Sequence, residues 1–149
     1  MGRPDATVKL VVFVDYDCPS CRKAMPELEK EAAHTKNLVV YVHQMPLRNH
    51  KLALPAATLA ANAESKGIYP AVDRSLLQGG PLTDSALKKI GDQYGISSSP
   101  SDATSKLISA DKEIFSGLKL NFVPRFLVVK DGYVQSYKWS DIRGKLANL

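Results

Sequence analysis

The chain has 149 residues, 44% of them hydrophobic, an ordinary globular size with apolar material for one core. Its longest apolar run, Leu10 to Val14, falls far short of the roughly 20 residues that a membrane-spanning helix needs. The net charge of +5 is spread over both halves without a dense basic run interleaved with aromatic residues, which excludes the usual nucleic-acid-binding pattern.

Two cysteines form one C-x-x-C, too few for a disulfide-framework mini-protein or a four-cysteine zinc site. No charged-then-apolar leader opens the chain, so any signal peptide is expected to have been removed or never present. Met1-Gly2 does not read as a myristoylation start, because Ala6 stands where Ser or Thr is required.

Val8 to Val14 reads as a strand buried on both faces, being apolar and β-branched. Asp15-Tyr16-Asp17 punctuates it, and Cys18-Pro19-Ser20-Cys21 follows. From Pro19 onward Cys21, Ala24, Met25, Leu28 and Ala32 recur at helical spacing, with a kink expected at Pro26. Leu38 to Gln44 is the second strand, parallel to the first in a β-α-β unit, and Met45-Pro46-Leu47 closes it.

A helix carrying Leu52, Pro55, Ala56, Leu59, Ala60 and Ala63 is predicted next, stopping at Gly67. A short amphipathic segment from Ala71 to Leu77 ends at Gly79-Gly80-Pro81. Thr83 caps a further helix with Leu87 and Ile90 inward, and Ser99-Pro100-Ser101-Asp102 predicts one starting at Ser99 and running to about Ser116. Phe126 to Lys130 and Tyr133 to Tyr137 form a hairpin across Asp131-Gly132, and Ser140 is expected to cap a last helix holding Ile142 and Leu146. The order β-α-β, helices, β-β-α predicts an α/β fold in a single domain over residues 1–149, with a helical insertion at about 52–116.

Chemistry concentrates at Cys18 and Cys21. At a helix start, free amide N–H groups and the macrodipole favour negative charge, so a thiol there ionises easily, and the thiolate is the nucleophile of disulfide exchange. Cys18, outermost, is expected to be the nucleophile; Cys21, one turn on and packed inward, resolves the mixed disulfide. As a structural staple the pair is poor, since a loop this short restrains the unfolded chain by only about 2 kcal/mol.

An apolar strand, then Asp15-Tyr16-Asp17-Cys18-Pro19-Ser20-Cys21, then a helix with Pro26, resembles the thioredoxin superfamily. Phe13-Val14-Asp15 before the motif, and Met45-Pro46-Leu47 through His50 leading into the alanine-rich helix, resemble its DsbA-like branch, which includes the DsbC/DsbG catalytic domains. Val123-Pro124 matches that family's cis-proline. The resemblance implies a thioredoxin fold with an inserted helical segment, and a thiol-disulfide oxidoreductase acting through Cys18 and Cys21, with no cofactor. Pro19, Ser20 and Pro124 complete the active-site motif, and Val123, through its backbone, and Tyr16 are expected to contact substrate.

The same resemblance implies cysteine-containing protein substrates, a redox partner that reoxidises or reduces the pair, and a periplasmic or otherwise extracytoplasmic setting. Val before the proline resembles the oxidases, whereas DsbC-type isomerases usually carry Thr; an isomerase or reductase is the alternative. Ser20 replaces the histidine of the strongest oxidants, which predicts a weaker oxidant. Val12 stands where the family keeps a buried acid, leaving Asp15 or water to assist proton transfer, and Asp17 is expected to oppose ionisation of Cys18 slightly.

The alternative of another class is a copper- or zinc-binding protein using the cysteines with His34, His43 or His50. Thioredoxin-fold copper carriers typically space their cysteines by three residues, and here the spacing is two. No metal site is assigned. Met25, Met45 and Trp139 read as packing, Phe122 and Tyr69 as core residues at the border of the groove, and Arg125 as facing peptide or solvent.

Overall fold

In the computed structural model, which describes residues 1–149, the apolar run Val8–Val14 forms β1 and Leu38–Gln44 forms β2. The two strands are parallel, with Val8 opposite Leu38 and Val14 opposite Gln44, and α1 (Pro19–Ala33) connects them. Four helices follow: α2 (Ala53–Ser65), α3 (Tyr69–Leu77), α4 (Asp84–Tyr94) and α5 (Asp102–Gly117). The chain closes with β3 (Arg125–Lys130), β4 (Tyr133–Tyr137), α6 (Trp139–Ile142) and a 3-10 turn at Leu146–Asn148.

The sheet runs β2-β1-β3-β4, so β1 is interior, between parallel β2 and antiparallel β3. That position explains its composition: Leu10, Val12 and Phe13 have no exposed surface. The inner stripe of α1, made by Cys21, Ala24, Met25, Leu28 and Ala32, packs into the same core as β1, Phe126 and Ile142. A second, smaller core joins α2, α3 and α4 through Ala56, Leu59, Ala60, Val72, Leu76 and Ile90. At the hairpin, Asp131 and Gly132 both have positive φ, 50° and 81°, as a type I′ turn requires.

Several local expectations shift. Pro26 lies inside α1, which runs as one helix of 15 residues. The cap of α5 is Ser101, whose Oγ accepts the Thr104 N–H at 3.2 Å; Ser99 lies two residues outside the helix. Ser140 does not cap the last helix. Its hydroxyl donates to Asp141, while the Asp141 carboxylate accepts the Lys138 N–H at 3.0 Å, so the cap is Lys138, two residues earlier. Gly144, at φ 72°, then separates Leu146 from that helix. Residues 1–3 add a short pairing to the β2 edge that the sequence did not suggest. Gly2 bridges Val39 there, and any Cβ at position 2 would collide with the Leu38 carbonyl.

Candidate functional site

The turn between β1 and α1 brings the expected residues together. Cys18 is the N-cap of α1, with extended backbone, and Pro19 fills the first turn, where a missing N–H leaves nothing unsatisfied. The Arg22 N–H bonds the Cys18 carbonyl, closing the first helical turn. The N–H groups of Ser20 and Cys21 therefore converge on the Cys18 sulfur. Ser20 Oγ lies 3.1 Å from that sulfur. Cys18 is 8% exposed, whereas Cys21 has no exposed surface, and both are free thiols.

These surroundings split the two thiols. Hydrogen bonding from the Cys21 thiol, then from the Ser20 hydroxyl and the two backbone N–H groups, lowers the Cys18 pKa to about 5 against the cost of burial. Burial pushes the Cys21 thiol far up, and donating to the Cys18 sulfur holds its proton further. One sulfur is an anion at neutral pH and its neighbour is a protonated donor.

From the opposite side comes the start of β3. The Val123–Pro124 peptide is cis, and the Val123 carbonyl lies 3.5 Å from Ser20 Oγ and 4.0 Å from Cys18 Sγ. Cys18, Cys21, Pro19, Ser20, Val123 and Pro124 thus form one cluster. Tyr16 does not join it as a groove wall. It is 1% exposed, and its hydroxyl donates to Asp73 at 2.6 Å and meets the Tyr69 hydroxyl at 3.1 Å, inside the second core. The expectation that Tyr16 touches substrate fails, because an aromatic ring next to a helical layer gains more from burial than from facing water.

Two acids behave differently from one another. Asp15 is 1% exposed; its backbone N–H donates to Cys21 Sγ at 3.4 Å. Its carboxylate accepts the Asp17 and Leu47 N–H groups and pairs with His50 Nδ1 at 2.7 Å. That hydrogen bond raises the His50 pKa. Asp17 is turned away toward α2, where it accepts the Leu52 N–H at 3.0 Å. The sequence offers His50 only as an alternative metal ligand and in the family-like segment; its pairing with Asp15, 35 positions away, is not foreseen, because no spacing rule connects them.

The remaining histidines are apart from the sulfurs. His43 pairs with Asp111 at 2.6 Å and His34 Nδ1 meets the Lys30 carbonyl at 2.8 Å. Phe122 and Tyr69 are both half-buried, Trp139 Nε1 donates to Glu27 at 2.7 Å, and no three His, Cys, Asp or Glu side chains are arranged to hold a metal ion. No helix is long and apolar enough to cross a membrane.

Residues 1–147 match the family model described as thioredoxin. Among curated proteins, the Na(+)/H(+) antiporter NhaA 1 of Mycobacterium sp. strain KMS is 32% identical over 77 residues, which is 50% of this chain and 13% of that protein. The aligned segment is therefore about an eighth of the relative's length. Two solved structures share the fold closely. A periplasmic thioredoxin-like protein from Salmonella enterica serovar Typhimurium has a TM-score of 0.78 at 19% identity, covering 99% of this chain and 86% of that one. The thiol-disulfide exchange protein α-DsbA2 from Wolbachia pipientis has a TM-score of 0.76 at 19% identity, covering 99% and 84%.

Proposed function

Because this chain belongs to the thioredoxin family, we propose that it is a thiol-disulfide oxidoreductase, with Cys18 as nucleophile and Cys21 as resolving thiol, acting on cysteine-bearing proteins as a DsbA-like oxidase. The observation that carries this reading is the split between the sulfurs: Cys18 ionising at about 5 beside a buried, protonated Cys21.

In the oxidising direction a substrate thiolate attacks Cys18 Sγ of the Cys18–Cys21 disulfide. The new bond joins substrate to Cys18, the old one breaks, and Cys21 leaves and takes up a proton. A second substrate thiolate then attacks the first substrate sulfur. The substrate disulfide forms and Cys18 departs as the stabilised anion, so two electrons have passed from substrate to protein. A stable Cys18 thiolate favours the reduced protein and hence this direction. The proton that Cys21 takes up would travel by way of the Asp15–His50 pair, which is next to Cys21 because the Asp15 backbone N–H donates to its sulfur at 3.4 Å. An extended substrate would run beside Val123, and Pro124, lacking an N–H, leaves the face toward the sulfurs free of a competing donor.

Such an oxidant requires a partner that reoxidises it and a compartment in which disulfides persist, which supports an extracytoplasmic setting. The expected reduction potential lies between that of thioredoxin, about −270 mV, and that of DsbA, about −120 mV, since Ser20 offers a hydroxyl rather than a cation. Titrating the pair against glutathione measures it. A value at or below thioredoxin's would instead make the protein a reductase. Cys18→Ala should abolish exchange with a peptide disulfide, and Cys21→Ala should accumulate the mixed disulfide on Cys18; exchange surviving in the first variant would sink the assignment.

A further inference from the structure

We propose that Phe122, Arg125 and Lys138 form a cationic, aromatic rim at the cysteine pair that favours substrates bearing a carboxylate side chain beside the reacting cysteine. The inference rests on the exchange activity proposed above and names a substrate class for it.

Phe122 immediately precedes Val123, the residue whose carbonyl reaches Ser20 and Cys18. Its ring is half-buried, with the Arg125 guanidinium 4.0 Å from the ring centroid and Lys138 Nζ 5.7 Å from it. Two cations thus meet one ring, drawn by its negative face. Arg125 has no carboxylate partner, and Lys138 feels the charge of Asp141 without a direct ion pair. The ion pairs of the chain engage Arg3, His43, His50, Lys51, Arg74, Lys88 and Arg143, not Arg125 or Lys138. The Arg125 Nε is buried and has no hydrogen-bond partner. Asp141, the acid at the start of α6, is engaged by the Lys138 backbone N–H and the Ser140 hydroxyl.

Neither cation is tied up in a direct ion pair, so both can attract an incoming anion, with Asp141 offsetting part of the field of Lys138. A strand advances about 3.3 Å per residue. A substrate whose cysteine meets Cys18 and whose backbone follows Val123 therefore carries its next one or two side chains past Phe122. Aspartate or glutamate there gains both cations; lysine is repelled by both. Each exposed cation contributes about fivefold at most, and salt weakens it.

The test uses the whole chain in its oxidised form and three peptides with one cysteine, identical except for Asp, Asn or Lys next to it. Rates of mixed-disulfide formation are measured at low and at high salt for the wild type, R125Q/K138Q and R125K. A flanking charge also shifts the peptide's own thiol, so the quantity read is the Asp-to-Lys rate ratio relative to that of R125Q/K138Q. The wild-type ratio should exceed the variant's by about tenfold at low salt, shrink at high salt, and be largely kept in R125K. Equal ratios in wild type and R125Q/K138Q would overturn the rim while leaving the exchange activity intact. No exchange with any peptide by the wild type would overturn the activity, and the rim with it.

Discussion

The two hydrophobic cores differ in how they are held. The larger, 20 residues around β1, α1 and β3, is continuous through strand side chains and would survive the trimming of most single contacts. The smaller, 11 residues mainly from α2, α3 and α4, has about half as many side chains and so less apolar area to bury. It depends on polar joins to the first, and two of these flank the cysteines. On one side, Tyr16 enters the smaller core and bonds Asp73 and Tyr69. On the other, Arg22 donates to the carbonyls of Leu76, Leu77 and Gly80, completing the C-terminal end of α3, as well as to Tyr16. Two residues that frame the motif in sequence, Tyr16 and Arg22, therefore fasten the helical layer.

The largest effect expected from breaking that arrangement is at Tyr16. Replacement by alanine removes a fully buried ring and should cost about 3–5 kcal/mol in denaturant unfolding. Phenylalanine keeps the ring and removes only the hydroxyl, leaving Asp73 with Tyr69 as its remaining partner, so about 1–3 kcal/mol is expected. If the join is only a fastening, the pH midpoint of Cys18 alkylation stays near 5 in Tyr16→Phe. A midpoint that moves would merge the join with the site.

Arg22 comes next. Its hydrogen bonds are charge-assisted and reach carbonyls that have no helical partner, so Arg22→Ala should cost roughly 2–3 kcal/mol. The loss should appear first as faster amide hydrogen exchange in α3 and α4, with α1 and the sheet protected to the global limit. Uniform loss of protection across both cores would mean that they unfold as one unit.

Ser20→Ala addresses the site alone. Removing a hydroxyl 3.1 Å from the thiolate should raise the Cys18 midpoint from about 5 by about one unit, with little change in stability. The sign follows directly: a thiol with a depressed pKa is held by contacts that act on its anion, and those contacts are lost as the pH falls through the folded value. An unchanged midpoint would assign the depression to the other donors, Cys21 and the backbone.

The strands were readable because a buried strand must be apolar on both faces, and the motif because a cysteine pair at a helix start has few other uses. β1, β2 and β4 fall at the residues that the sequence indicated, and Cys18, Ser20, Val123 and Pro124 converge as the family pattern implied. What stayed hidden depended on partners distant in sequence. The sequence around Tyr16 is the same whether its ring faces a peptide or the Asp73 of a helix 57 positions away. His50 looked like an isolated loop histidine until folding set it against Asp15. The misplaced caps at Ser99 and Ser140 share one cause: each has a competing polar neighbour two residues or one residue away, and local pattern does not rank such competitors.

A weaker contact, which can be switched, ties α5 to the sheet. His43 on β2 and Asp111 on α5 pair at 2.6 Å, while the other Asp111 oxygen accepts the Gln44 N–H. The bond to Asp111 raises the His43 pKa, so the imidazolium is favoured in the folded state. A raised folded pKa contributes stability that is complete below the unfolded value, about 6.5, and is lost as the pH climbs through the folded one. Both groups are partly exposed, which limits the contribution to about 1 kcal/mol. His50, raised in the same sense by Asp15, adds a slope of the same sign. Asp111→Asn should therefore remove part of the stability difference between pH 6 and pH 8 and lower the His43 pKa seen by NMR. The cost of the substitution should be larger at pH 6 than at pH 8. An equal cost at both would mean that the carboxylate fastens α5 only through the Gln44 amide and that the imidazolium contributes nothing to holding α5 against β2.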